Sequence, residues 1–552
     1  MVEGCDGEAA VTPIGMVKNY NGAETRPRRW VKLVGLAPPS SLGVFNNSVD
    51  VAYKALAERY YLCEVRKGVF EPALGTTLEK LMDPHMTEFL QRVVDKVNLD
   101  PVCSTADVVN CYKGSKRARY VAAEQRYYRD GVTKMEAMLR MFVKFEKCDL
   151  RKAPRVINPR SLVYNIALGR FLKKNEHKYF DAIAEVFGQD RVVFKGMDVN
   201  RSAEEMHDVW ETIADPVAIG ADAKKFDMHI SLEALYYEHL FYIAPYTNCD
   251  VLAARRLYDR IIKERKDAME NYQSEAEQLC WLLSQQLNNR GKGYFQNGKV
   301  SFKIRGTRSS GDLNTSLGNC ILMCAMTWAW KQFTGVRAAL VNNGDDCVHV
   351  VPRQQEATWR SGLCEYFAEK GFRMELEPTV DQFEEVEFCQ SKPCRVANGW
   401  RMVRNPATLI TKSSMCLKPL FTMNALKKWV MAVGLAEGSL CDGVPVLQSY
   451  ARALRRNGRH CTKAYIEKNV IGDSSRLMHS NLEVHVAPIT DESRVSFCKS
   501  WGINPEHQVH LEKYYDSWTL AKEMGERILS GDALRRVRDL TVTVPNLLQP
   551  AI

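Results

Sequence analysis

Apolar residues recur with two different spacings along this chain, and the switches between them mark its elements. A helical period runs over residues 49–66 and resumes over 162–180. Residues 134–147 begin with the same helical spacing. Pro154 and Pro159 then block a regular helix, which leaves 148–160 as extended, loop-like chain. A short apolar strand over 217–221 ends at Asp222, and 233–287 reads as largely helical. Two alternating runs around Asn297-Gly298 predict a hairpin. A second hairpin, the strongest in the chain, is predicted over 336–351, where two apolar strands flank a turn at 343–345. Between the hairpins a polar, Gly-rich loop at 306–319 feeds the apolar run 320–330, which is too short to span a bilayer and reads as a buried helix. A helix is expected at 355–371, strands near 372–380, 386–394 and 400–403, and an almost wholly helical remainder from 413. The pattern is that of an α+β protein: a small antiparallel sheet with helices on one side, flanked by helical regions.

At 552 residues the chain exceeds one simple core, and length suggests about three packed subdomains. The composition, 45% hydrophobic and 26% charged, argues against disorder. The 17 cysteines form no CxxC pair and read as reduced core thiols, with zinc bound by distant Cys and His residues as the alternative. No signal-peptide or membrane-spanning pattern occurs, so membrane attachment would need a partner.

Charge placement narrows the function. Residues 111–175 carry 17 Lys and Arg against 5 Asp and Glu, an excess larger than the whole chain's net charge of +10. Tyr112, Tyr120, Tyr127 and Tyr128 interleave with these cations, a combination that favours a nucleic-acid groove over a solvated helix face.

Three carboxylate-bearing segments supply candidate chemistry. Asp222 and Asp227 lie in IGADAKKFDMHIS, the Gly-rich stretch GTRSSGDLNTSLGN follows at 306–319, and VNNGDDCVHV places Asp345 and Asp346 after Gly344. Two Mg²⁺ ions need hard oxygen ligands, and Asp222 at a strand end could meet Asp345 in a neighbouring turn, with Asp346 assisting. Alone, a GDD triplet is equally a hairpin turn with solvated aspartates. The ordered conjunction points to template-directed nucleotidyl transfer. No GxxxxGK loop is present, which disfavours a helicase.

On these motifs, together with FCQSKP at 388–393, the chain resembles the RNA-dependent RNA polymerases of plus-strand RNA viruses, and most closely the tombusvirus-like plant group of carmovirus-, luteovirus- and umbravirus-type replicases. The resemblance runs over about 112–393. It implies a right-hand fold, with an N-terminal region and fingers at 1–215, palm at 216–235 and 301–400, a fingers insertion at 236–300 and a helical thumb at 401–552. It implies that Asp222 and Asp345 bind Mg²⁺ (or Mn²⁺) with help from Asp346. Asp227, one helical turn beyond Asp222, would bond the 2′-hydroxyl with Asn319 in support and Ser310 and Thr315 near the sugar. Lys144, Lys147, Lys152, Arg155 and Arg160 would line the NTP tunnel. Tyr112, Gly114, Lys116, Arg117 and Tyr120 would guide the template, with Gly311 giving a flexible loop beside the template base. Phe388, Cys389, Gln390 and Ser391 would form the primer grip. Lys370 and Arg373 are both candidates for a general acid.

Lys224 and Lys225 have no assigned role, His229 reads as a structural histidine, and Arg452, Arg455, Arg456 and Arg459 could touch exiting duplex. The implied partners are template RNA, product duplex, NTPs, and a separate membrane-anchored viral replication protein or host membrane factors, in the host cytoplasm. The rivals are a reverse transcriptase or DNA polymerase, which usually has an aromatic where this chain has Asp227, and a non-catalytic RNA-binding replication protein, which would not need all three aspartates.

Overall fold

The computed structural model describes residues 2–418, 420, 422–471, 477 and 480–520. The end of the expected thumb, 521–552, therefore lies outside the described residues.

A four-stranded antiparallel sheet holds the centre, in the order Ala339–Asn343, Asp346–Pro352, Pro216–Ala223, Met374–Leu376. Its strands are apolar on both faces, so both must be covered. Val217, Ile219, Ala221, Leu340, Cys347 and Val351 enter one core with the helices Leu232–Ile243 and Thr315–Thr334. Ala218, Val341, Val348 and Val350 enter another with the helix Val199–Glu211, Phe388 and Met402. The expectation of helices on one side only is thus corrected. The second apolar face, visible in residues such as Ala218 and Val341, demanded its own cover.

The helix Thr315–Thr334 is the internal post of the fold. Every residue from 317 to 330 is buried, which suits a helix apolar all round. Among the described residues no helix is long and apolar enough to cross a membrane.

A second sheet runs Met16–Tyr20, Gly298–Arg305, Asn288–Phe295, Leu139–Val143, Val156–Ile157. The predicted hairpin forms, with Phe295 paired to Gly298. The helix-like start expected at 134–147 does not develop into a helix. Leu139, Met141 and Val143 turn inward while Arg140 and Phe142 face out, a period of two. The helix expected over 49–66 is three elements: an α-helix Val49–Leu56, a π-helical turn Ala57–Tyr61 and a strand Cys63–Arg66. The helix expected over 355–371 breaks into Glu356–Arg360 and Leu363–Glu369. In place of the strand expected over 386–394 the strand Ser391–Val396 forms, and it pairs with Gly399–Arg404. Among the described residues beyond 413 the regular elements are helices, except for Met415–Cys416, which pairs with Arg29–Lys32 and ties the C-terminal region to the N-terminal one.

Arg160 joins three segments distant in sequence. Its Nε donates to Asp312 at 2.6 Å, its Nη2 to Asn289 Oδ1 at 2.6 Å and its Nη1 to the carbonyl of Ala137 at 2.5 Å. Arg160 and Asp312 are both buried. Removing one partner of such a pair strands a charge in the interior. Arg160→Met is therefore expected to lower unfolding free energy by about 3–5 kcal/mol, measured by urea denaturation followed by circular dichroism.

Candidate active site

Strand register brings the carboxylates together. Asp222 stands opposite Asp346 across the sheet, and Asn343 pairs with Asp346, so Gly344 and Asp345 form a two-residue turn. Gly344 has φ 75°, a left-handed conformation that suits glycine at this position. Asn342 Nδ2 donates to the Gly344 carbonyl at 2.8 Å, and the Gly344 N–H donates to Cys320 Sγ at 3.3 Å. The turn is therefore braced from the sheet and from the central helix. Asp346 Oδ2 accepts the backbone N–H of Cys389 at 2.9 Å. Cys389 and Gln390 both take left-handed φ, 51° and 59°, in the tight turn that presents this donor.

These acids strain against one another. Asp345 touches water within the cleft but is crowded by protein, and that crowding, with repulsion from Asp227 and Asp222, raises its pKa to about 6. Burial raises Asp346 to about 7; the Cys389 N–H opposes this, while Asp345 and Asp222 add to it. Among the described residues no three His, Cys, Asp or Glu side chains form a ready-made metal cage. Mg²⁺ typically takes one or two protein carboxylates beside phosphate oxygens, so this donor set fits such an ion.

Asp227 reaches the cluster by a route other than the expected helical turn from Asp222. The strand ends at Ala223, Lys225 turns left-handed with φ 50°, and a new short helix Phe226–His229 carries Asp227. Asn319 Nδ2 donates to Asp227 Oδ1 at 2.9 Å. Burial raises the Asp227 pKa, against the pull of Asn319 and Arg308. Ser310 and Thr315 are already bonded within the protein. Ser310 Oγ donates to the Val156 carbonyl at 3.0 Å and meets the Tyr60 hydroxyl at 2.8 Å; Thr315 Oγ1 donates to the Ser309 carbonyl at 2.8 Å. Gly311 packs on backbone. A Cβ there would lie 2.5 Å from Pro159 N, so close approach, not flexibility, calls for glycine.

A cavity of about 1050 Å³ opens beside the turn. Asp345 and Asp346 line it with Lys144, Lys147, Lys152 and Arg155 of the basic segment and with Phe388, Cys389, Gln390 and Ser391. Lys144 and Arg155 share Glu146, at 3.1 and 3.5 Å. Lys147 Nζ donates to the Lys412 carbonyl at 2.7 Å. Sequence reasoning missed Arg59, Arg404 and Lys412, which line the same cavity. No motif marks them, and only tertiary packing brings them there. Burial, with repulsion from Arg404, pushes Lys412 down to about 8.

A family model described as viral RNA dependent RNA polymerase matches residues 16–264 and 267–523. The chain belongs to this family. The match extends well beyond the 112–393 span carried by the motifs. The RNA-directed RNA polymerase of tobacco necrosis virus (strain A) is 35% identical over 512 residues, covering 91% of this chain and 65% of that protein. That of melon necrotic spot virus is 33% identical over 500 residues, covering 90% and 59%. That of carnation mottle virus is 30% identical over 559 residues, covering 97% and 69%. The chain thus spans roughly two thirds of the length of these polymerases, which are of the tombusvirus-like kind that the motifs indicated.

Several residues expected at the site of a polymerase of this family sit elsewhere. Arg160 is the buried clamp described above and does not line the cavity. Lys370 is buried, ion-paired to Asp83 at 2.5 Å, and Arg373 bonds Glu71 at 2.8 Å; neither lines the cavity. Both looked available only because Asp83 and Glu71 are some 300 residues away in sequence. Tyr112 and Tyr120 stack at 4.0 Å with Lys116 over Tyr112, Gly114 opens the helix Gly114–Asp130, and Arg117 bonds Asn110 at 3.1 Å, all away from the cavity lining. Lys224 bonds Glu375 at 2.9 Å. His229 is buried, with Nδ1 3.0 Å from the Lys225 carbonyl, and burial lowers its pKa. Arg452 pairs with Asp516 at 2.8 Å, and Arg456 bonds the carbonyls of Tyr515 and Trp518.

The Asp346 shift fixes a sign. Its folded pKa, about 7, exceeds the unfolded value of 3.8, so the folded state holds the extra proton between them. The stability it costs is absent near pH 4, grows as pH rises, and is complete above about 7. In metal-free protein, Asp346→Asn is expected to gain about 1–2 kcal/mol at pH 8 and nothing at pH 4, read from thermal melts in chelator.

Proposed function

We propose that this chain is the catalytic portion of a viral RNA-directed RNA polymerase, copying plus-strand genomic RNA and its complement from NTPs. What supports the reading is one observation above all. In a chain of this family, Asp222 stands in register with Asp346 beside the Asp345 turn, and Asp345 and Asp346 line a cavity together with Lys144, Lys147, Lys152 and Arg155.

The central sheet is the palm of a right hand, at 216–235 and 301–400. The second sheet and basic segment belong to fingers, in 1–215 with an insertion at 236–300, and the helices after 401 form the thumb. Asp222 and Asp345 would hold divalent ions, Mg²⁺ or Mn²⁺, with Asp346 assisting. Bound there, such ions activate a 3′-hydroxyl and balance charge on pyrophosphate. The chain's own side chains do the rest. Lys144, Lys147, Lys152 and Arg155 neutralise the triphosphate, their hold on Glu146 and on the Lys412 carbonyl giving way to phosphate oxygens. Asp227, oriented by Asn319, bonds the ribose 2′-hydroxyl. A deoxynucleotide would leave that half-buried pair unpaired, which is the penalty that selects RNA precursors. The turn at Cys389 holds Asp346 by its N–H while 388–391 steady the product end. Tyr112, Lys116, Arg117 and Tyr120 guide the template at a distance from the cavity. Recruitment to membranes would fall to a separate viral replication protein or host factors in the cytoplasm.

The reading is tested with purified protein, a short RNA template and labelled NTPs, with and without Mg²⁺. Asp222→Ala and Asp345→Ala are each expected to cut synthesis by roughly 10³-fold or more with RNA binding and circular dichroism unchanged. Asp227→Ala is expected to raise deoxynucleotide use relative to ribonucleotide. Full activity in either of the first two variants removes the metal site assigned here.

A further inference from the structure

Behind the sugar-selecting pair lies a buried ionic group that nothing in the proposed chemistry requires. Arg308 and Glu238 form an ion pair with both side chains wholly buried. Glu238 also accepts the Tyr242 hydroxyl at 2.7 Å and Asn314 Nδ2 at 3.0 Å. Asn314 in turn exchanges hydrogen bonds with Gln286, at 2.9 and 3.1 Å. Such a pair is poor economy as a stabiliser, since desolvation offsets its attraction. Arg308 Nη1 is moreover buried with no hydrogen-bond partner among the described residues.

Its contacts say what it does. Arg308 Nε donates to Asn319 Oδ1 at 3.2 Å. The Arg308 backbone N–H donates to the Asp227 carbonyl at 2.9 Å. One residue therefore grips both members of the Asp227–Asn319 pair. An amide has two unlike ends. With Oδ1 held by the guanidinium, Asn319 must present Nδ2 to Asp227. The flipped amide would set its oxygen against the Asp227 carboxylate and its NH₂ against the Arg308 N–H, losing both bonds. Space is shaped to match. A Cβ on Gly318 would lie 2.1 Å from Glu238 Oε1 and 2.3 Å from Arg308 Nη2, so only glycine lets the helix carry Asn319 this close to the pair.

We infer that the Arg308–Glu238 pair is a positioning device for sugar selection: it locks the Asn319 amide, and through it Asp227, in the orientation that favours a ribonucleotide over a deoxyribonucleotide. This rests on reading the chain as an RNA polymerase. Neither Arg308 nor Glu238 touches substrate in this scheme, and each acts through Asn319.

The experiment is single-nucleotide extension on an RNA template, giving kcat/KM for UTP and for dUTP. Arg308→Lys keeps the charge for Glu238 but removes the Nε–H. The UTP:dUTP ratio is expected to fall about tenfold or more, the worth of one oriented hydrogen bond. Most of the UTP effect should fall on KM, and Arg308→Lys should add little once Asp227→Ala is present. A merely structural role would depress both nucleotides alike. A ratio within about twofold of the parent's in active Arg308→Lys protein overturns the inference and leaves the polymerase reading standing. No RNA synthesis by the unaltered protein overturns both. Should Arg308→Lys not fold, Asn314→Ala and Glu238→Gln loosen the same pair more gently, and an unmoved ratio in them overturns the inference equally.

Discussion

The structure turns on like charges forced together by backbone register. Antiparallel pairing leaves no freedom in where Asp222 lies relative to Asp346, because a slip of one residue would send every side chain of the strand to the opposite face. That slip is forbidden by packing, since Val217, Ile219 and Ala221 fill one core and Ala218 the other. Apolar burial along the sheet thus outweighs the repulsion at its end. Asp345 and Asp346 hold protons more tightly than free carboxylates, first through burial and then through repulsion from their acidic neighbours.

The Gly-rich stretch at 306–319 is pinned on two sides by buried ions. Asp312 answers Arg160, and Arg308 answers Glu238. Ser309 and Ser310 between these anchors, and Thr315 just beyond them, bond to main-chain carbonyls. The stretch looks like a flexible loop in sequence, yet its polar residues are the fasteners of a fixed one. On the proposed reading this rigidity serves selection, because discrimination between nearly identical sugars requires groups that cannot follow the wrong one.

Much of this was readable in the chain because its signals are local. Asp222, Asp227, Asp345 and Asp346 lie in short strings whose turn residues and alternation are complete within ten positions. The central hairpin and the buried helix expected at 320–330 declare themselves the same way, although the helix begins at Thr315, inside the stretch expected to be loop. What stayed hidden depends on distant partners. Arg160 has the sequence look of a phosphate-binding cation, but Asn289 and Asp312, 129 and 152 residues away, convert it to a buried clamp. Lys370 is taken by Asp83 across 287 residues. Arg59 and Lys412 reach the cavity from elements with no chemical signature of their own. The strand Leu139–Val143 was hidden for another reason: five residues are too few to separate a period of two from one of 3.6 when a helix-like run precedes them.

Charge balance in the cleft links these parts. Asp345 and Asp346 hold protons more tightly than usual, while Lys412 and, beyond the cavity lining, Lys225 hold them more loosely, each lysine pushed down to about 8. Burial acts first in both lysines, and repulsion from neighbouring arginines adds to it. Glu146 engages Lys144 and Arg155, and Asp346 is held by the Cys389 N–H. On the proposed reading, a nucleoside triphosphate arriving with divalent cations carries both missing signs, anionic phosphates for the lysine and arginine side and cations for the carboxylates. Each stabilises the charged form of the groups it meets, so on that reading the nucleotide and the cations bind more tightly together than either does alone.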